Sequence, residues 1–140
     1  MSANSRAEVP VREGLFTVAD DGTPRLLGGR CNSCGEHHFP VAVCCPYCSG
    51  EDVVEVMLSE TGTLWAWTAV TAAPPGYRGT VPFGFGVVEL PDGIRVVTRI
   101  DEPDPSRLHR GQAMRLDVVA LHDGDDGQPV VTFAFAPAPQ

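Results

Sequence analysis

The sequence has no lysine: all ten of its basic residues are arginines. It has no apolar run near the roughly 20 residues that a membrane-spanning helix needs. It also lacks the basic segment followed by an apolar one that marks a secretory signal. These absences argue against a helical membrane protein, and we expect a soluble protein of the cytoplasm.

Cysteine is absent everywhere except between residues 31 and 48, where all five occur. Disulfide frameworks spread cysteines to connect distant segments, so this clustering instead favours a metal site in a reducing compartment. Positive charge is also scarce. The chain has 18 acidic residues and 10 basic ones, so its formal net charge is −8. Such a field repels nucleic acid at long range.

The segment at residues 31–50, CNSCGEHHFPVAVCCPYCSG, contains two C-x-x-C pairs, Cys31/Cys34 and Cys45/Cys48, ten residues apart. Two such turns facing each other form the tetrahedral four-thiolate site that Zn²⁺ prefers. Iron is the less favoured alternative, because rubredoxin-type centres use the same spacing. Four protein ligands exclude water from the metal, so the spacing predicts a structural site rather than a catalytic one.

The same segment holds three further residues that could bind a metal. Cys44 is surplus, since pairing it with Cys48 would change the C-x-x-C spacing, and we expect it to be a small buried apolar filler. His37 and His38 lie between the two pairs, so a site of three cysteines and one histidine stays an alternative. We expect both histidines to be solvated.

Five strand-like runs from Val53 onward predict a small barrel. A tight turn, Pro91-Asp92-Gly93, joins the second run to the third, and a Pro-rich connector with at most one helical turn at 106–110 follows the third. This order matches the five-stranded Greek-key OB-fold, in which Gly84 and Gly86 would permit close backbone approach. In the first run, alternation places Trp65 and Trp67 on one face. The runs are Thr63–Val70, Phe83–Leu90, Ile94–Ile100, Ala113–Leu121 and Pro129–Phe135.

The predicted fold is therefore mostly β. We expect a flexible arm over residues 1–14 and an N-terminal rubredoxin-like zinc ribbon over 15–52, which opens with a hairpin around 19–24. A five-stranded OB-fold barrel follows over 53–136, and 137–140 form a tail.

The ribbon motifs Cys31–Gly35, Phe39-Pro40 and Cys45–Cys48, placed ahead of an OB barrel, resemble the acyl-CoA-associated zinc-ribbon/OB-fold family, formerly a domain of unknown function. The hairpin Pro82–Ile100 is similar to that family's central hairpin. The similarity covers roughly residues 25–136. The chain differs in having Val41-Ala42 where family ribbons commonly carry a basic residue.

The resemblance implies an accessory subunit without catalytic residues of its own. Members of the family partner with thiolase-like enzymes, including thiolases, aldolases and hydratases of lipid, steroid or aromatic degradation. The large partner would hold the catalytic residues, while the ribbon/OB protein helps to form the CoA or acyl channel.

Candidate contact residues lie in the barrel. The loop before the second run and its first residues carry aromatic and arginine side chains, which are enriched at interface cores. Arginine forks also suit the phosphates of CoA. The predicted contacts with the partner or CoA are Tyr77, Arg78, Phe83, Phe85, Arg95 and Arg99.

Other functions have weaker sequence support. His109 and His122 stand alone in turn-like segments, and no catalytic motif accompanies them, so we expect no independent active site. OB barrels can bind single-stranded nucleic acid through aromatic platforms and a basic groove, and the tryptophans with Arg95 and Arg99 keep that alternative open. A rubredoxin-like electron carrier rests on the cysteine pairs alone.

Overall fold

The computed structural model describes residues 8–139, which form ten β-strands and one turn of 3₁₀-helix at Pro105–Arg107. No helix within this range is long and apolar enough to cross a membrane. The strands are β1 (Val9–Pro10), β2 (Phe16–Val18), β3 (Pro24–Cys31), β4 (His37–His38), β5 (Val53–Met57), β6 (Thr61–Val70), β7 (Phe83–Glu89), β8 (Arg95–Ile100), β9 (Ala113–Asp123) and β10 (Pro129–Pro137).

Strands β6 to β10 close into a five-stranded barrel. Their order around the barrel is β6-β7-β8-β10-β9, and β9 pairs with β6 to complete the ring. All neighbours are antiparallel except β8 and β10, which pair in parallel at Arg99↔Ala134 and Ile100↔Phe135. This is the Greek-key OB topology predicted from the order of the five runs.

Two inward-facing glycines of β7 let the barrel close tightly. A Cβ at Gly86 would meet the backbone of Ala66 and Trp67, and one at Gly84 would meet the carbonyl oxygens of Ile100 and Glu102. Any side chain at these positions would therefore push the neighbouring backbone away, as the expected close approach requires.

Strand β3 organises the N-terminal ribbon by pairing with β2, β4 and β5. The predicted hairpin forms between β2 and β3, with Phe16 opposite Leu26, and its turn is closed by a 2.9 Å bond from the Ala19 N–H to the Thr23 carbonyl. Strand β5 pairs with Leu27–Cys31 of β3. Residues 53–57 thus belong to the ribbon sheet, and the chain enters the barrel after them.

The ribbon and the barrel share one hydrophobic core. Leu26 and Leu58, at 0 % exposure, belong to the same buried cluster as Leu64, Val88 and Phe135 of the barrel. A 2.9 Å hydrogen bond from Arg25 Nε to the carbonyl of Leu58 crosses the same junction. Each unit therefore covers apolar surface of the other.

Segments near both ends of the described range also pack along the barrel. Residues 1–7 and 140 lie outside the described residues, but Val9 and Pro10 pair in parallel with β10 of the barrel. This section of the expected arm is therefore a strand. At the other end, Pro137 is still part of β10, and the N–H of Ala138 donates to the carbonyl of Ala113 at 2.9 Å.

Candidate metal centre and barrel face

Four cysteine sulfurs meet at the end of the ribbon. The Sγ atoms of Cys31, Cys34, Cys45 and Cys48 all lie within 4.8 Å of one another. The Cys31–Cys48 and Cys34–Cys45 sulfur pairs are each 3.6 Å apart. A tetrahedron with Zn–S bonds of about 2.3 Å has sulfurs about 3.8 Å apart, so the geometry and the all-thiolate donor set fit Zn²⁺.

The two C-x-x-C turns have equivalent backbone geometry. The N–H of Gly35 donates to the carbonyl of Cys31 at 2.8 Å, and the N–H of Ser49 donates to the carbonyl of Cys45 at 2.9 Å. Gly35 and Ser49 each follow the second cysteine of a turn, and both have positive φ, 80° and 65°. Ser49 is the one non-glycine residue with positive φ among residues 8–139. The turn therefore requires this conformation even where the sequence offers no glycine.

The cluster favours some thiolates and disfavours others. The N–H of Cys34 stabilises the Cys31 thiolate and lowers the pKa of Cys31 to about 6. The N–H of Glu36 favours the Cys34 thiolate, but desolvation and hydrogen bonds with the sulfurs of Cys45 and Cys48 outweigh it and raise the pKa of Cys34 to about 12. A divalent cation resolves this conflict, because its charge compensates several thiolates at once.

Cys44 stands outside the cluster of four sulfurs, as its spacing predicted. The expectation that it is a buried filler is wrong, because its side chain is exposed. It lies in an exposed stretch beside Val43, which is 88 % exposed. Spacing identifies which cysteine is surplus, but burial depends on where the loop lies relative to the core.

One of the two histidines, His38, differs from the expectation that both are solvated, whereas His37 is partly exposed. His38 is 3 % exposed, and its Nε2 accepts a 3.3 Å hydrogen bond from the N–H of Ala42. Its ring packs against Gly29 of β3, where a Cβ would overlap it. Neither His37 nor His38 belongs to the group of metal-ligating side chains. His38 therefore supports the loop that leads to the second C-x-x-C pair.

A β-bulge changes the predicted arrangement of the tryptophans. The register of β6 against β7 shifts between Leu64 and Ala66, so Trp65 faces outward while Trp67 pairs with Gly86 and packs against the core. Trp67 Nε1 donates to the carbonyl of Pro105 at 3.0 Å. The prediction that Trp65 and Trp67 share a face is wrong, because one extra residue in a strand reverses the alternation.

The outward surface of β6–β8 combines arginines with exposed apolar side chains. Arg95 Cζ lies 4.2 Å from the ring centroid of Trp65, and Arg110 Cζ lies 5.7 Å from it. Phe85 stands opposite Arg99 across β7 and β8, and Val97 occupies the row between Arg95 and Arg99. Trp65, Phe85 and Val97 are 37 %, 40 % and 59 % exposed. We call this surface the arginine–aromatic face, and its residues are Trp65, Phe85, Arg95, Val97, Arg99 and Arg110.

Loop residues extend the face at one end. The rings of Tyr77 and Phe83 are 5.0 Å apart, Arg99 Cζ lies 4.7 Å from the ring centroid of Phe83, and Arg99 Nη1 donates to the Tyr77 hydroxyl at 3.1 Å. The fold thus brings Tyr77, Phe83, Phe85 and Arg99 together, with Arg95 on the same face. Sequence reasoning missed Arg110, because only the fold brings residue 110 against Trp65.

Arg78 is engaged elsewhere. Its guanidinium binds the carboxylate of Asp125 and the carbonyl of Asp123, both at 3.3 Å. This contact joins the β6–β7 loop to the β9–β10 loop, the two loops that border the ligand face of many OB-folds. Of the six predicted contact residues, Arg78 is thus the one already committed to an acidic loop of its own chain.

Comparisons with known proteins match both parts of the chain. One family model, the rubredoxin-like zinc ribbon domain of ChsH2, matches residues 22–54, and another, the C-terminal OB-fold domain of ChsH2, matches residues 55–119. The benzoylsuccinyl-CoA thiolase subunit BbsA of Thauera aromatica is 32 % identical over 121 residues, covering 86 % of this chain and 82 % of that protein.

Two further matches extend the comparison. A DUF35 domain-containing scaffold protein of Methanocaldococcus jannaschii is 31 % identical over 114 residues, covering 79 % of this chain and 78 % of that protein. A solved structure described as an Ltp2-ChsH2(DUF35) aldolase contains a chain that is 27 % identical, with a TM-score of 0.62 and coverage of 82 % of this chain and 86 % of that one.

Proposed function

Because the chain belongs to the ChsH2 family of zinc-ribbon and OB-fold proteins, we propose that it is a non-catalytic accessory subunit of a thiolase-like acyl-CoA enzyme. The observation that carries this proposal is the 32 % identity, over 86 % of the chain, with a subunit of benzoylsuccinyl-CoA thiolase. The likeness to a chain of an aldolase complex supports the same role. The partner, of thiolase, aldolase or hydratase type, holds the catalytic residues.

In this proposal Cys31, Cys34, Cys45 and Cys48 hold a structural Zn²⁺. The support is the close grouping of their sulfurs and the pKa conflict that a cation relieves. Four protein ligands leave no position for a substrate or a water molecule, so the metal supplies rigidity and no chemistry. Because the ribbon shares its core with the barrel, that rigidity also sets the position of the barrel strands.

The partner docks on the arginine–aromatic face, and CoA is contacted at its Tyr77–Arg99 end. Exposed Phe85 and Val97 give this face an apolar centre, which is typical of binding surfaces. Arg99 lies at the edge of the apolar centre, where its remaining N–H groups can reach a phosphate. Arg78 contributes less, because both of its Nη atoms are already bound, one to the Asp125 carboxylate and the other to the Asp123 carbonyl.

The pocket at the other end of the barrel, about 530 Å³ in volume, does not suggest independent catalysis. Its lining is mostly apolar or backbone, and its one ionisable residue, Glu89, is bound to Arg95 at 3.1 Å. A reaction at this place would need a nucleophile with a base, or an acid–base pair. We place the protein in the cytoplasm, where clustered thiolates stay reduced.

Single-stranded nucleic acid is the alternative occupant of the same face. Aromatic and arginine side chains favour it, as in other OB barrels. The acidic end of β9 and the loop after it oppose such binding, because they carry Asp123, Asp125 and Asp126 next to the path of the strand. The accessory-subunit function is therefore the better supported of the two.

Co-purification tests the proposal. The tagged protein is isolated from its native host, the thiolase-like subunit recovered with it is identified by mass spectrometry, and both are then purified separately. We expect the two to co-elute at micromolar concentration and the pair to turn over an acyl-CoA that this protein alone leaves unchanged. Separate elution of the two proteins would refute the accessory role.

A further inference from the structure

We propose that the Trp65 end of the arginine–aromatic face binds carboxylate side chains of an acidic, partly apolar segment of the large subunit, through Arg95 and Arg110. This inference rests on the proposed function and specifies the chemistry of the partner. It concerns the barrel surface around the outward-facing β6 bulge, where cation–π contacts with Trp65 restrain two arginines that can bind anions.

Both guanidinium groups lie close to the Trp65 ring and keep N–H groups available for a partner. Arg95 Cζ and Arg110 Cζ lie 4.2 and 5.7 Å from the ring centroid, within the range of a cation–π contact, so the ring restrains both side chains. Arg95 uses its Nε for Glu89, and its side chain is still 51 % exposed. Within residues 8–139, no carboxylate forms a salt bridge with Arg110. An arginine restrained in this way loses little entropy when it binds a carboxylate.

The local charge differs in sign from that of the whole chain. Strands β6, β7 and β8 carry Arg95, Arg99 and a single acid, Glu89. The three arginines of the face, Arg95, Arg99 and Arg110, together with Glu89 at its border, sum to a formal charge of +2, whereas the chain carries −8. A partner with carboxylates is therefore attracted to this face and repelled by the rest of the surface, which orients the encounter.

The apolar residues between the arginines define the rest of the partner segment. Val97 is 59 % exposed on the central row of the face, next to Arg95 along β8. A partner that covers Val97 and Trp65 removes water from the arginine–carboxylate contacts, and such shielded contacts are stronger than those at an open rim. The complementary segment therefore has carboxylates flanking at least one apolar side chain.

The test measures affinity for the large subunit identified by co-purification. The double variant Arg95→Gln/Arg110→Gln keeps side chains of similar length, and Arg12→Gln serves as the control because Arg12 is an exposed arginine outside the face. We expect the double variant to raise Kd about tenfold or more, because charge-assisted hydrogen bonds are lost. Its affinity should also depend less on salt concentration than that of the wild type. The control should bind like the wild type, and thermal melts should show all variants folded.

A second variant and two competitors distinguish the occupants. Arg95→Lys/Arg110→Lys keeps the charge but loses the planar fork, and we expect it to restore only part of the affinity. Unchanged Kd and salt dependence in the glutamine variant would overturn this inference while leaving the accessory role intact. If the wild type binds no thiolase-like subunit, both the accessory role and this inference are wrong. Competition by free CoA or by a single-stranded oligonucleotide at this end would assign it to a phosphate ligand, and the inference would be wrong.

Discussion

The ring of Phe39 in the ribbon packs edge-on against Phe133 of β10, with centroids 5.5 Å apart and planes at 88°. Phe16 of β2 joins this small cluster, with its ring centroid 6.4 Å from that of Phe133. The Phe39-Pro40 pair, which looked like a feature of the ribbon alone, therefore joins the ribbon to the barrel. The ribbon that carries the four cysteines and the barrel that carries the arginine–aromatic face are connected through this shared core.

Phe39→Ala should destabilise the whole protein. Removing a partly buried ring from the junction is expected to lower the free energy of unfolding by ~2–3 kcal/mol. The ring's hydrophobic transfer free energy is lost, and the cavity left behind adds a further cost. Guanidinium unfolding followed by circular dichroism gives this value and should show one transition for both units. Val43→Ala, in the same loop but at an exposed position, should change little. A wild-type stability in Phe39→Ala would contradict the shared core.

Zinc content should separate the ligands from the surplus cysteine. Cys45→Ser removes a buried thiolate of the cluster and should abolish stoichiometric zinc, while Cys44→Ser, an exposed neighbour, should retain one zinc per chain. Elemental analysis of the purified proteins measures this directly. Unchanged zinc in Cys45→Ser would show that the ligand set is wrong.

The two equivalent turns allow a test in which one substitution lowers the stability of the protein and the other raises it. Gly35→Ala forces an L-residue into the left-handed region and should cost about 1 kcal/mol, since a Cβ there meets nothing within 4 Å and only φ opposes it. Ser49→Gly should stabilise the protein by ~0.5 kcal/mol. The relief of backbone strain in the folded state exceeds the cost of the extra conformational entropy that glycine gives the unfolded chain. Thermal melts of the zinc-loaded proteins measure both. Two shifts of the same sign would contradict the equivalence of the turns.

The two tryptophans should respond differently to truncation. Trp67→Ala removes a ring that packs against the core and bonds Pro105, so we expect a loss of ~2–4 kcal/mol in stability. Trp65→Ala removes an outward ring and its cation–π contacts, so the loss should be about 1 kcal/mol or less. Iodide should quench the fluorescence of Trp67→Phe, which keeps only Trp65, more than that of Trp65→Phe. Equal quenching would contradict the bulge.

The features that could be predicted from the sequence are those with local causes. The C-x-x-C spacing identified the four clustered cysteines, because two turns of fixed geometry can bring only those sulfurs together. The order of runs and turns was enough to predict the OB topology, since few arrangements of five short strands close a barrel.

Tertiary structure decided what depends on contacts between distant segments. The β6 bulge turned Trp65 outward and Trp67 inward, and a single inserted residue has no signature in a pattern of period two. The pairing of β5 with the ribbon and the placement of Arg110 beside Trp65 follow from packing of residues far apart in the chain. The burial of His38 against Gly29 depends on the pairing of β3 with β4. Local spacing thus determined the metal cluster and the fold class, whereas the composition of the arginine–aromatic face arose only when the strands were brought into register.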